Sequence, residues 1–193
     1  MKKRTDHRIL ILAGILLLAA AAAVLVFWQW SIRDSAQKAG GYAALIREQL
    51  PSPQSAVPEA RSDNTLPVLS IDGADFAGLL ELPRHASTLP VCAQWGSVSR
   101  YPCLFDGSIY DRSIQIGATS QKGQYDFYRE ISVGDAVFFT DMEGSRYAYE
   151  VTDIRYESHA DRAALAREDA ALTLFIKNVY AFEYIVVYCD LPQ

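Results

Sequence analysis

The chain has 193 residues with a formal net charge of −5 at pH 7; 21% of its residues are charged and 11% are aromatic. This length allows one domain with additional segments, and the composition excludes disordered and collagen-like chains. Four of the 18 bases but only one of the 23 acids precede residue 9, so the acidic remainder argues against a nucleic-acid-binding protein, which needs a basic face.

The first predicted element is a membrane-spanning helix over residues 9–30. Residues 9–28 are an unbroken apolar run, whose helical length of roughly 30 Å matches the hydrocarbon core of a bilayer. A cleaved signal peptide is the alternative, but its apolar region is usually about 7–15 residues long, so an uncleaved signal anchor is favoured. The basic tail 1–8 then lies in the cytoplasm and the C-terminal domain lies outside the cell.

Residues 31–67 are expected to connect this anchor to the outer domain. Residues 31–50 are typical of a short helix, and the sequence leaves open whether it is a stalk or packs on the domain. Residues 51–67 contain four prolines among polar residues, which predicts a tether rather than a core element.

Residues 68–193 are predicted to form a mainly β domain. Short β-prone runs alternate with turn residues, and only 161–169 indicates a helix. Many short strands with few helices favour a sandwich or a small closed barrel. The predicted strands are 79–82, 89–92, 113–116, 136–140, 146–156, 172–176 and 182–189.

Nothing in the motifs alone indicates a reaction, a metal site or a cofactor. His7 belongs to the basic tail, and His85 and His159 are expected to be solvated loop residues. Cys92, Cys103 and Cys189 lie in or beside apolar runs, where a cysteine usually acts as a small buried apolar residue, and they have no CxxC spacing. Outside the cell they permit one disulfide, for which Cys103 with Cys189 is the first choice.

Several segments in a shared order carry a family resemblance. Residues 75–83 (DFAGLLELP) are similar to a first strand of the pattern GWLEIP, and residues 101–108 to the stretch PCRYxGS. Residues 125–141 are similar to FxxLxxLxxGDxVxFTD, residues 172–175 to the start of LTLFTC, and residues 186–189 to a last strand. Residues 70–191 thereby resemble the sortase family, in particular a class B-like, clostridial-type subgroup. The resemblance implies a closed sortase-type β-barrel of about eight strands over residues 68–193, preceded by one N-terminal transmembrane helix.

The same resemblance implies a catalytic set that this chain lacks. Sortases attack a sorting signal such as LPxTG with a cysteine, move protons with a histidine and hold the substrate with an arginine. Here Lys177 stands at the cysteine position, Ala118 at the histidine position and Tyr184 at the arginine position, with Glu183 in place of Tyr184 if the register slips by one. Alanine cannot move a proton, and a lysine at a strand end is expected to be protonated and exposed.

These departures predict a catalytically silent sortase homologue that acts as a binding or scaffolding module at the outer membrane face. Its expected partners are a sorting-signal peptide, a pilin or an active sortase. One alternative is an active cysteine transpeptidase or peptidase of altered chemistry that uses Cys92, Cys103 or Cys189. A second alternative is a structural protein of the membrane surface.

Overall fold

The computed structural model describes residues 2–61, 63–98, 100–158, 170–181 and 183–192. Two compact units are present, residues 1–34 and residues 35–193. The predicted helix 161–169 and His159 lie outside the described residues.

The N-terminal helix α1 spans Lys2–Gln49 without interruption. The helices predicted over 9–30 and 31–50 are therefore parts of one helix. The stretch Ile11–Gln49 contains a window with a mean hydropathy of 2.7 and is long and apolar enough to cross a membrane. Its large apolar side chains, such as Leu16 and Val26, are exposed in the protein. A helix that is apolar on all sides and exposed suits a lipid environment.

Ten strands are present in the described part of the second unit. They are β1 (Gln54–Ala56), β2 (Leu69–Ile71), β3 (Ala74–Leu82), β4 (Ser87–Cys92), β5 (Cys103–Asp106), β6 (Ile114–Thr119), β7 (Ala136–Asp141), β8 (Ser145–Glu157), β9 (Leu172–Asn178) and β10 (Glu183–Asp190). Eight of them close a barrel in the order β3-β4-β5-β6-β9-β10-β8-β7, because β7 pairs with both β8 and β3. The predicted closed barrel of about eight strands is confirmed. The two short strands β1 and β2 pair with β8 and β3 and add to this ring.

Alternating residues of these strands fill the barrel, as the period of two in the sequence predicts. Leu172, Leu174 and Ile176 of β9 lie in one buried cluster with Ile185 and Val187 of β10. We call this cluster the inner cluster. It also contains two alternate tyrosines of β8, Tyr147 and Tyr149.

The last turns of α1 pack on the outside of the barrel. Ala39, Ala43 and Ile46 recur at helical spacing, and all three are buried in a second cluster with Phe76 and Tyr101. This helical stretch therefore packs on the domain, which resolves the question that the sequence leaves open.

The proline-containing segment 51–67 is paired with the barrel at two points. Strand β1 runs parallel to the start of β8, with Gln54 in register with Ser145. Leu66 is only 7% exposed and belongs to the inner cluster. Composition predicts a tether here because prolines and polar residues dominate the segment, but the backbone pairing of β1 and the burial of Leu66 attach it to the barrel.

Candidate functional site at the ends of β6, β9 and β10

Four neighbouring strands bring one residue each to the same end of the barrel. Lys177 of β9 is in register with Tyr184 of β10 on one side and with Thr119 of β6 on the other. Tyr184 is in turn in register with Glu157 of β8. Since the adjacent residues Ile176 and Ile185 point into the inner cluster, these four side chains lie on the outer face. We call Thr119, Lys177, Tyr184 and Glu157 the outer row.

Lys177 and Tyr184 are therefore brought together, but Ala118 is not brought to the same face. Ala118 is in register with Ile176, is 2% exposed and belongs to the inner cluster. The outer neighbour of Lys177 in β6 is the following residue, Thr119. Its Oγ1 is buried and makes no hydrogen bond within the described part of the chain.

A cavity of about 670 Å³ opens beside the outer row, between the end of β8 and the turn that joins β9 to β10. Lys177, Tyr180 and Tyr184 are among its lining residues. The turn is held by Asn178, whose Nδ2 donates to Glu183 Oε1 at 2.9 Å. Glu183 is in register with Asn178, so Tyr184 is the residue beside Lys177. An exposed ammonium and two phenols can donate hydrogen bonds here, but none of them provides a thiol nucleophile.

One step along the strands from the outer row, aromatic rings cover the outer face. Trp95 lies 4.8 Å from Phe105 and 5.4 Å from Phe175 between ring centroids. Gly117 lies beneath them, because a Cβ at this position would come within 2.6 Å of Trp95 Cζ3. We call Trp95, Phe105 and Phe175 the aromatic cluster. A ligand that contacts Lys177 can therefore enter the cavity, whereas the aromatic cluster occupies the face over Gly117.

The three cysteines lie away from the outer row, and all three are buried. Cys189 is in the inner cluster, whereas Cys92 and Cys103 lie in the second cluster under α1. The predicted buried, apolar setting is confirmed. The preferred Cys103–Cys189 disulfide is wrong, because the two side chains belong to different clusters. Burial also raises the pKa of the Cys189 thiol well above its usual range, which disfavours the reactive thiolate.

The expectation that His85 is solvated is wrong. Its side chain is only 5% exposed, its Nε2 lies 3.1 Å from Asp135 Oδ2, and its ring stacks on Phe127. Arg84 also forms an ion pair with Asp135. Burial alone would raise the pKa of Asp135, but hydrogen bonds from Arg84, the Ser132 amide and His85 outweigh it and lower that pKa. These residues are 50 positions apart in sequence, so no local pattern could have revealed the pair.

The comparisons with known proteins identify the fold. No family model matches the sequence and no curated protein matches it, but solved structures of sortases do. Sortase A of Corynebacterium diphtheriae matches with a TM-score of 0.53 at 14% identity, over 84% of this chain and 84% of that chain. A Clostridium perfringens sortase C, determined with the C-terminal cell wall sorting motif, matches with a TM-score of 0.52 at 16% identity, over 68% of this chain and 78% of its own. Listeria monocytogenes sortase A matches with a TM-score of 0.52 at 14% identity, over 61% and 88%. At these identities the similarity shows the fold alone, and that fold is the sortase fold.

Proposed function

We propose that the chain is a membrane-anchored, class B-like sortase homologue that is catalytically silent and binds a sorting-signal peptide, a pilin or an active sortase at the outer cell surface. One observation carries the proposal. The strand ends place Lys177 between Thr119 and Tyr184 on the outer face, while all three cysteine side chains are buried elsewhere.

The chemistry of the outer row supports silence. Lys177 is exposed, and a lysine becomes a nucleophile only when burial or a nearby cation lowers its pKa. Neither Ala118 nor Thr119 can accept a proton at neutral pH, whichever of them stands at the histidine position. Tyr184 offers one hydrogen bond without a charge. In another enzyme family the loss of the nucleophile alone costs about 10⁶ in turnover, so this combination is expected to leave no measurable transpeptidation.

The cavity supports a binding role. A barrel frame depends on apolar packing and can persist without the reaction. A peptide that enters between Ser158 and Tyr184 would meet the Lys177 ammonium and the hydroxyl of Tyr180, which can donate to backbone carbonyls or to a carboxylate. The aromatic cluster would limit the space for this ligand on the β6 side.

The alternative, an active cysteine transpeptidase or peptidase, would need a thiol to reach solvent. Cys189 is on the last strand of the barrel, which makes it the natural candidate, but it is fully buried with a raised pKa. Catalysis through Cys189 would require the barrel wall to open first.

The activity test uses the full chain in detergent with a labelled LPxTG-type peptide and an amine acceptor, and mass spectrometry detects the products. We expect no product from the wild-type chain. Two further variants restore the three family residues: each contains Lys177→Cys and Tyr184→Arg, together with either Ala118→His or Thr119→His. Comparing the two variants also tests which β6 residue stands at the histidine position. If the wild-type chain forms product and a thiol reagent abolishes this turnover, the proposal that the chain is catalytically silent is refuted.

The binding test measures fluorescence anisotropy of the same peptide. Lys177→Glu reverses the charge in the cavity and is expected to weaken binding about 10-fold or more, since hydrogen bonds to charged groups contribute about 1.5–3 kcal/mol. Arg112→Glu is the matched control, because Arg112 is exposed in the turn before β6, at the opposite end of that strand. Equal affinities for the two variants would exclude the cavity as the binding site.

The proposal also includes the membrane arrangement. Residues 1–8 form a cytoplasmic tail, 9–30 the signal anchor, 31–67 the connection and 68–193 the outer domain. The support is the basic cluster before residue 9 and the apolar length of α1. Protease treatment of intact cells is expected to degrade the domain, and its protection until lysis would contradict this orientation.

A further inference from the structure

Two cysteines that are 11 positions apart in sequence are neighbours in the barrel. Cys92 is the last residue of β4 and Cys103 the first residue of β5, and they are partners in the parallel pairing of these strands. Both side chains lie in the second cluster, under the last turns of α1. They therefore share a face as well as a register.

The strand spacing fits a covalent link between them. Adjacent strands lie about 4.7–4.9 Å apart, and disulfides join residues whose Cα atoms are about 4.4–6.8 Å apart. The amide of Cys92 donates to the Pro102 carbonyl at 2.8 Å, which holds the two strand ends together. Cys189, in the inner cluster, is separated from this pair.

The position of the pair gives the link a structural role. Among the described residues, Cys92 with Cys103 is the one registered pair between β4 and β5, whereas the other junctions of the ring have three or more. The β4–β5 junction is therefore the weakest seam of the closed barrel. The intervening segment carries Trp95 of the aromatic cluster and Tyr101, which packs under α1. A disulfide at the β4–β5 junction would restrict local opening of this segment.

We propose that Cys92 and Cys103 form a disulfide that fastens the β4–β5 seam. In the reaction, the Cys92 or Cys103 thiolate attacks a disulfide of a small molecule or of a thiol–disulfide oxidoreductase, and one thiol of that oxidant leaves. The second cysteine then displaces the other thiol, so that the pair loses two protons and two electrons and the oxidant is reduced to two thiols. Because both side chains are 1% exposed or less, the bond forms during folding, before α1 covers the pair.

The test refolds the full chain from urea into detergent with glutathione buffers of increasing oxidised fraction. Samples are quenched with acid, alkylated in denaturant and digested without reduction. We expect a linked pair of peptides containing Cys92 and Cys103, and one alkylated cysteine, Cys189. Reduction before alkylation should raise the count to three. Cys189→Ala should leave the linked pair unchanged.

The oxidised chain is also expected to unfold at a higher urea concentration than the reduced chain, and either Cys92→Ser or Cys103→Ala should abolish the difference. Three alkylated cysteines at the most oxidising ratio, or links that involve Cys189, would overturn the proposal. The result does not depend on peptide binding or on membrane orientation, so it stands apart from the proposed function.

Discussion

The substitution Gly117→Ala tests the aromatic cover beside the candidate site. The added Cβ would lie 2.3 Å from Phe175 Cζ and 2.6 Å from Trp95 Cζ3, well inside van der Waals contact. Phe175 is 4% exposed and packs against Val186 and Tyr188, so it has little room to move. Trp95 is 39% exposed, and we expect its indole to swing into solvent.

The magnitude follows from what Trp95 would lose. It makes two aromatic pairs, with Phe105 and Phe175, and each such pair contributes about 0.5–1.5 kcal/mol beyond the buried area. Overpacking by one methyl group independently costs about 1–3 kcal/mol. We therefore expect a loss of about 1–3 kcal/mol in the free energy of unfolding. At about 2–4 °C per kcal/mol for a domain of this size, the Tm should fall by roughly 2–12 °C.

The assay is urea and thermal unfolding of the full chain in detergent, with Trp28→Phe and Trp30→Phe in all variants so that fluorescence reports Trp95 alone. Acrylamide should quench Trp95 more strongly in Gly117→Ala. The matched control is Gly96→Ala, next to Trp95, because a Cβ there meets no atom within 4 Å; it should change stability by about 0.5 kcal/mol or less.

Equal stability and equal quenching in Gly117→Ala and Gly96→Ala would refute the placement of Trp95 on β6. A double-mutant cycle with Trp95→Ala separates the two rings, and its unfolding is followed by circular dichroism, because the Trp95→Ala variants contain no tryptophan. Its coupling energy should be about 0.5–3 kcal/mol if Trp95 contacts Gly117 directly. A coupling near zero would assign the clash to Phe175 alone.

Three further perturbations test the frame of the barrel. Because the pKa of Asp135 lies below its ordinary value of 3.8, its carboxylate stabilises the fold fully above about pH 4 and progressively less as the pH falls through the folded pKa. Asp135→Asn should therefore weaken the dependence of the urea unfolding midpoint on pH between about pH 5 and 2.5. An unchanged dependence in this variant would contradict the prediction. Ile46→Ala removes a fully buried side chain where α1 packs on the barrel, so calorimetry should show a loss of about 2–5 kcal/mol, whereas a loss below 0.5 kcal/mol would mean that the helix does not pack there. Cys189 should not react with a thiol reagent in the native chain, because burial raises its pKa, and should react at once in urea; rapid native alkylation would instead support the cysteine-enzyme alternative.

Much of the fold could be predicted from local sequence. The apolar run of residues 9–28 specifies a helix that suits a membrane, since its length and lack of charge need no tertiary partner to be recognised. The alternation of Tyr147, Tyr149 and Val151 with small or polar residues specifies a half-buried strand, and β8 contains all of them. The ordered motifs indicated the sortase-type barrel, whose closure the β3–β7 pairing completes.

The candidate site could be predicted only in part. The motifs located Lys177 and Tyr184, which are in register. They also indicated Ala118, but strand pairing turns that methyl group inward and leaves Thr119 beside Lys177. A shift of one residue reverses the face of a strand, and that parity is decided by which neighbouring strands pair.

Tertiary structure alone decided the contacts between distant segments. His85 and Asp135 meet because β3 and β7 are neighbours in the ring, and Cys92 meets Cys103 because the chain returns parallel to itself after the Trp95 segment. Local spacing contains no information about such pairs, since they depend on the order of strands around the barrel. The sequence by itself thus determined the apolar run and most of the strands, because these depend on local patterns, while the closure of the barrel determined which side chains stand together.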